Sequence, residues 1–130
     1  MSKKNLPTRG QLERSLSQRI QHLYHENIGH RPDKVTCDIV DNRIHIIMEN
    51  AVTQAEQLLN NTGKEDLTEQ VRLELEQAIK PLLTELIEEL VEVEVVDLLS
   101  DTTLETGRSG IIAVLSEKPE VRQSNSTSNK

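Results

Sequence analysis

The sequence predicts an α+β fold in which a four-stranded, mainly antiparallel sheet is covered by helices on one face. Three patterns indicate this fold: a helical stripe of apolar residues near the start, an alternating hairpin after it, and a long helical stripe that runs into a valine-rich strand. The predicted order is helix–strand–strand–helix–long helix–strand–strand.

The chain has 130 residues, a length that fits one domain. We place a single α+β domain over residues 8–116. Residues 1–7 are predicted to be a disordered leader. Residues 117–130 are predicted to be a disordered tail, because the chain ends in a run of serine, threonine and asparagine.

The first helix has clear start and stop signals. Thr8 and Gln11 have the spacing of a capping box, and Gly29 with the following Pro32 ends the helix. Between these signals the apolar stripe consists of Leu12, Leu16, Ile20, Leu23 and Ile28.

A β-hairpin follows the first helix. Apolar and polar residues alternate over 35–39 and 44–48, and a two-residue turn at Asp41-Asn42 joins the two runs. This register places three apolar pairs on one face: Val35 with Met48, Cys37 with Ile46, and Ile39 with Ile44.

Two helices come next. Asn50 or Thr53 caps a short helix that ends near Leu59, and a long helix begins near residues 66–67. Its predicted apolar stripe is Leu67, Val71, Leu75, Ile79, Leu82, Leu86 and Leu90. Pro81 lies inside this stripe and predicts a kink or a break, because proline removes a backbone donor.

The last two strands are valine- and isoleucine-rich. Val91–Val95 alternates with the period of a strand, and the alternation then shifts by one residue, which predicts a β-bulge near Val95. A polar loop is predicted from Asp101 to Gly110. The final strand, Ile111–Leu115, is apolar on both faces, which predicts an interior position in the sheet or coverage by a partner.

Composition and charge disfavour several classes of partner. The net charge is −7, and residues 50–130 carry most of the acidic excess, so a nucleic-acid backbone is a poor partner. Tyr24 is the only aromatic residue, which leaves no platform for base stacking. Gly107–Gly110 has the form of the glycine loop of KH domains, but it precedes a strand and is better interpreted as a turn.

No residue pattern completes a metal or catalytic site. His22, His25 and His30 lack further ligands at metal-binding spacing, and Asp38 opposite His45 is best explained as a surface pair with no nucleophile nearby. We therefore expect no catalytic residues, no metal and no cofactor. One cysteine and no long apolar run predict a cytoplasmic protein without direct membrane insertion.

Two polar segments are candidate contacts for an anion or a partner. The turn after the first helix offers His30 and Arg31, and the predicted loop after the third strand offers Arg108 with Ser100 and Asp101 close to it.

Several short motifs follow one another along residues 10–116. They are Gly29-His30-Arg31-Pro32, Thr53-x-x-Glu56-x-x-Leu59, Arg72, Pro81, Ile87-Glu88-x-Leu90, and a valine strand that ends at Ser100-Asp101. In this order they resemble the MpsC-like family, component C of a Na⁺-translocating, membrane-potential-generating system. The resemblance implies association with a membrane cation or inorganic-carbon transport system, and it carries over no catalytic residues.

Together these observations favour a non-enzymatic cytoplasmic accessory protein that binds a protein partner, such as a membrane transport complex, and that forms a homo-oligomer. The alternative is a small regulatory module that binds an anion or a nucleotide through the candidate contacts. Nucleic-acid binding is the less favoured third interpretation.

Overall fold

The structure is a computed structural model that describes residues 5–123, and within them it has three helices and one four-stranded sheet. The elements are α1 (Arg9–Ile28), β1 (Lys34–Val40), β2 (Arg43–Glu49), α2 (Gln54–Asn61), α3 (Glu65–Val91), β3 (Val95–Thr103) and β4 (Arg108–Leu115). The predicted fold class and element order are confirmed.

The sheet is antiparallel throughout, with the strand order β1-β2-β4-β3. The hairpin register predicted from the sequence is confirmed, since Ile39 pairs with Ile44 and Cys37 with Ile46. The last strand, β4, lies between β2 and β3, so its apolar character on both faces fits the interior position that the sequence predicts.

Helices α1 and α3 pack on one face of the sheet, and the core lies between these two layers, while α2 packs against α3. The strands contribute side chains such as Ile44, Ile46 and Ile111, and the helices contribute Leu16 and Leu83. Each of these side chains is almost fully buried. At about 1.5–3 kcal/mol for each large side chain, this layer accounts for most of the stabilising burial.

The ends of α1 follow the sequence signals. The Thr8 hydroxyl accepts a hydrogen bond from the Gln11 backbone N–H, and the Gln11 side chain accepts one from the Thr8 N–H, which forms the capping box. Gly29 ends the helix in the left-handed conformation with φ 79°.

The long helix α3 has no break at Pro81, which was one of the two predicted alternatives, and part of its apolar stripe differs from the prediction. Pro81 lies on the exposed side of the helix, where the lost backbone hydrogen bond faces solvent. Leu67 and Leu82, assigned to the apolar stripe, are exposed. The first half of α3 buries Thr68 and Arg72 instead, because Arg72 has an acidic partner in α2, described below.

The start of β3 was also predicted too early. Val91 is the last residue of α3, and Glu92 ends the helix in the left-handed conformation with φ 59°, so the strand begins at Val95. The bulge itself is confirmed, since the register with β4 shifts between Val95 and Asp97. Strand pairing also extends through most of the predicted loop 101–110, leaving a turn at residues 104–107.

The described ends of the chain lie side by side. The Arg122 backbone N–H donates to the Pro7 carbonyl over 2.7 Å, and Thr8 and Arg122 form an isolated parallel bridge. The remaining parts of the predicted leader and tail, residues 1–4 and 124–130, lie outside the described residues.

Candidate functional site

Two of the five predicted contact residues lie close together at one end of the sheet. His30 Nε2 lies 2.7 Å from the Asn50 carbonyl oxygen. The neighbouring Glu49 accepts hydrogen bonds from Arg108 Nε over 3.0 and 3.1 Å. Both His30 and Arg108 therefore already have partners within the chain, so their polar groups help to hold the loop after β2.

The other three predicted residues lie elsewhere. Arg31 is exposed and contacts the Gln21 side chain of α1 over 3.4 Å, away from Arg108. Ser100 and Asp101 are paired residues of β3 rather than loop residues, opposite Ile111 and Gly110. The five residues thus do not form one cluster.

The most strongly connected polar cluster joins α2 to α3. Arg72 Nε donates to Glu56 Oε2 over 2.8 Å, and Arg72 Nη2 donates to Glu56 Oε1 over 2.8 Å. The side chains of Arg72 and Glu56 are 9% and 0% exposed. Arg72 Nη2 also donates to the Ala51 carbonyl, and the Thr53 hydroxyl donates to Glu56 Oε1.

Every buried polar group in this cluster has a hydrogen-bond partner. Glu56 also accepts the Thr53 backbone N–H, so one carboxylate serves both as the capping-box residue of α2 and as the acceptor of a bidentate arginine. The ion pair fixes α2 against α3 and holds the chain between β2 and α2. Sequence reasoning recognised the spacing of Thr53 and Glu56, but it gave Arg72 no structural partner.

A cleft of about 490 Å³ opens between α3 and the β3–β4 hairpin. Its lining includes four glutamates: Glu65, Glu69, Glu76 and Glu105. Arg72 reaches this cleft, but its guanidinium is bonded to Glu56 and Ala51. A cleft with this lining repels small anions.

Two buried acidic groups have raised pKa values. Burial raises the pKa of the Tyr24 phenol to about 12, although the nearby Arg72 lowers it. Burial likewise raises the pKa of the Cys37 thiol to about 11, against the lowering effect of a hydrogen bond with Ser17. Cys37 is thus a buried thiol of low reactivity.

The face of the sheet opposite the helices bears no covering element among residues 5–123, and we call it the open face. From the strand register and the burial pattern it consists of Lys34, Thr36, Asp38 and Val40 of β1, Arg43, His45, Ile47 and Glu49 of β2, Arg108, Gly110, Ile112 and Val114 of β4, and Asp97, Leu99, Asp101 and Thr103 of β3.

The centre of the open face is apolar. Ile47, Leu99 and Ile112 are 41%, 52% and 38% exposed, and they surround a shallow groove of about 390 Å³. Gly110, which pairs with Ile47 and lies two residues before Ile112 on β4, contributes no side chain to this groove. Charged residues stand around this centre, as at the rim of a protein–protein interface.

Within residues 5–123, no three His, Cys, Asp or Glu residues converge in a way that could hold a metal ion. None of the helices there is both long enough and apolar enough to span a membrane.

Comparison with known proteins identifies the family. No match was found among curated proteins or among solved structures. One family model, described as MpsC, Na⁺-translocating membrane potential-generating system, matches residues 8–117, which cover the whole sheet and all three helices. The chain therefore belongs to the MpsC family.

Proposed function

We propose that this protein is a non-enzymatic accessory component of a Na⁺-translocating, membrane-potential-generating system, and that it acts in the cytoplasm by binding other proteins. The family supports a role in such a system. The accessory role, the cytoplasmic location and assembly as a homo-oligomer are our proposals.

The observation that carries the proposal is the apolar centre of the open face. Ile47, Leu99 and Ile112 adjoin one another across three neighbouring strands, and together they form one continuous apolar patch. An exposed patch of this kind, surrounded by charged residues, is typical of surfaces that bind other proteins.

The alternative of an anion- or nucleotide-binding module has weaker support. His30 is bonded to Asn50 and Arg108 to Glu49, so neither side chain is free to receive an anion without losing a contact. The cleft between α3 and the β3–β4 hairpin is lined by carboxylates. A thermal-shift screen with phosphate, bicarbonate and nucleotides tests this alternative, since a ligand at 100 times its Kd stabilises by about 2.7 kcal/mol.

The proposal is tested by co-purification from cells that make the full chain with an affinity tag. After gentle solubilisation of the membranes, we expect subunits of a cation or inorganic-carbon transport system to be enriched with the wild-type chain. We expect Leu99→Asp to reduce their recovery about tenfold, which is the effect of losing one well-packed interface residue.

Leu73→Asp is the matched control, because Leu73 is as exposed as Leu99 but lies on α3. It should leave the recovery unchanged. Circular dichroism of both variants shows whether each is folded. If no transport subunit is enriched with the wild-type chain, the proposed function is wrong.

A further inference from the structure

We propose that the open face is covered by a second copy of this chain, in a two-fold symmetric dimer held by sheet-on-sheet packing. This inference rests on the proposed function only in treating the open face as a protein-binding surface. What it adds is that the chain covering this face is a second copy, and that transport subunits bind the dimer that this contact holds together, so that loss of the dimer also lowers their recovery.

The charge of the open face favours a second copy of the chain as its partner. The face carries three cations and four carboxylates, which nearly balance, whereas the whole chain has a net charge of −7. The cations are Lys34, Arg43 and Arg108. Because two copies of an acidic chain repel each other, they approach most readily through a face whose own charges nearly cancel.

In a two-fold arrangement, four of the seven charges on the open face can meet opposite charges of the partner. Packed sheets cross either nearly aligned or nearly perpendicular. In the perpendicular case, the two-fold axis runs between the two sheets, parallel to them, and passes over Ile47 and Ile112. Each of these two side chains then meets its own counterpart in the partner. On ideal spacings of about 4.8 Å between strands and 3.4 Å per residue, the rotation brings Arg43 close to the partner's Asp101. Measured in the plane of the sheet, the two positions are within about 4 Å of each other.

The same rotation sets one further pair of opposite charges together, and it leaves Lys34 and Asp97 close to their own counterparts in the partner. It places Asp38 over the partner's Arg108, and Leu99 over the partner's Val114. The alternative diagonal axis would place Leu99 over the partner's Glu49, so the axis over the two isoleucines buries more apolar surface. A two-fold interface requires such self-complementarity, since each contact occurs twice.

The groove at Gly110 also fits a second copy of the chain. The two-fold rotation sets His45 directly over the partner's Gly110, so the imidazole of each copy fills the groove of the other. A side chain at position 110 would close the groove without disturbing the chain itself. A Cβ there would meet only the Ile47 Cδ1 atom, at an ordinary contact distance of 3.6 Å.

The size of the open face predicts the strength of association. Four strands of about seven residues cover about 500 Å² on each copy, or about 1,000 Å² in total. This area is at the lower end of the range for specific interfaces. We therefore expect a dimer that dissociates on dilution.

The test is sedimentation velocity of the purified full chain across a hundredfold range of concentration. We expect the mass to rise from 14.7 kDa towards twice that value. Gly110→Leu and Arg43→Asp should each weaken dimerisation about tenfold, the first by filling the groove and the second by setting two acidic side chains opposite each other.

Combining Arg43→Asp with Asp101→Arg should restore dimerisation. Within one chain these residues lie roughly 17 Å apart on ideal strand spacings, so recovery can arise only between copies. Arg14→Asp on the exposed side of α1 makes the same charge change and should have no effect. Circular dichroism confirms that each variant is folded.

A wild-type chain that stays monomeric at all concentrations would overturn the inference, as would a dimer that neither Gly110→Leu nor Arg43→Asp weakens. Failure of the double variant to recover would overturn the perpendicular arrangement. A monomer that still co-purifies with transport subunits would leave the accessory role standing and contradict the homo-oligomer. A dimer that recovers no transport subunit would leave this inference standing and contradict the accessory role.

Discussion

Replacing Arg72 with methionine should destabilise the fold more than any change to a surface ion pair. The substitution keeps the length of the aliphatic stem but removes two hydrogen bonds to Glu56 and one to the Ala51 carbonyl. It leaves a fully buried carboxylate without its cation, since Glu56 is 0% exposed. Breaking a buried pair in this way costs about 3–5 kcal/mol.

The loss can be measured by urea unfolding and by thermal unfolding, each followed by circular dichroism. For a domain of this size we expect the Tm to fall by about 10–20 °C. The matched control is Arg108→Met, because the Arg108 side chain is 56% exposed in its pair with Glu49. An exposed pair of this kind contributes about 0–1 kcal/mol, so the control should change stability little.

A double-mutant cycle with Glu56→Gln separates the ion pair from the other contacts of these residues. We expect the double variant to lose much less stability than the two single losses added together, because the second substitution removes the charge that the first left unpaired. If Arg72→Met costs no more than Arg108→Met, then the α2–α3 ion pair does not hold these helices together and the reasoning is refuted.

Three further predictions concern Tyr24, the two glycines of α1 and its C-cap, and Pro81. Because Tyr24 is the only aromatic residue, phenolate absorbance should show one titration with a midpoint at about 12 in the folded chain and at 10.0 in urea; a folded-state midpoint at 10.0 would contradict the burial argument. The folded chain holds this proton more tightly than the unfolded chain, so the free energy of unfolding should fall as the pH rises from 10.0 towards 12. Gly29→Ala should lower stability by about 1 kcal/mol because Gly29 has φ +79°, whereas Gly10→Ala inside α1 should raise it by about 0.5–1 kcal/mol; equal effects of the two in urea unfolding would refute this. Pro81→Ala should raise stability by about 1–2 kcal/mol because it restores a donor in the middle of α3, and a loss in the same assay would show that the helix needs proline there.

The elements that the sequence predicts best are those with local determinants. The α1 capping box needs only residues three positions apart, and the β1–β2 register follows from a two-residue turn and alternating apolar side chains. Both are confirmed because no distant contact competes with them.

The errors in α3 have a tertiary cause. The start of the predicted stripe followed leucines, and the structure buries Thr68 and Arg72 there instead. Burial of an arginine is favourable only beside the carboxylate of Glu56, which lies 16 residues earlier and on another helix. No periodicity within α3 indicates that contact.

The boundary between α3 and β3 was ambiguous for a different reason. Val91 continues the helical face that contains Ile87, and it also begins an alternating run, so two periods overlap at one residue. The left-handed conformation of Glu92 decides where the helix ends, and the sequence has no glycine there to signal it.

The open face was only partly foreseeable. Apolar residues on both faces of Ile111–Leu115 predicted an interior position in the sheet or coverage by a partner, and β4 is an interior strand. The patch of Ile47, Leu99 and Ile112, however, depends on the strand order β1-β2-β4-β3, which joins residues far apart in the chain. The balance of charges around the patch depends on the same order.

The central claim, that the open face is buried against another protein chain, is tested most directly by photo-crosslinking in cells. A photoreactive side chain is placed either at Leu99, which is 52% exposed on the open face, or at Leu73, which is 53% exposed on α3. Our account predicts protein adducts from position 99, including one of twice 14.7 kDa, and few from position 73. Equal yields from the two positions, or no adduct from position 99, would contradict it.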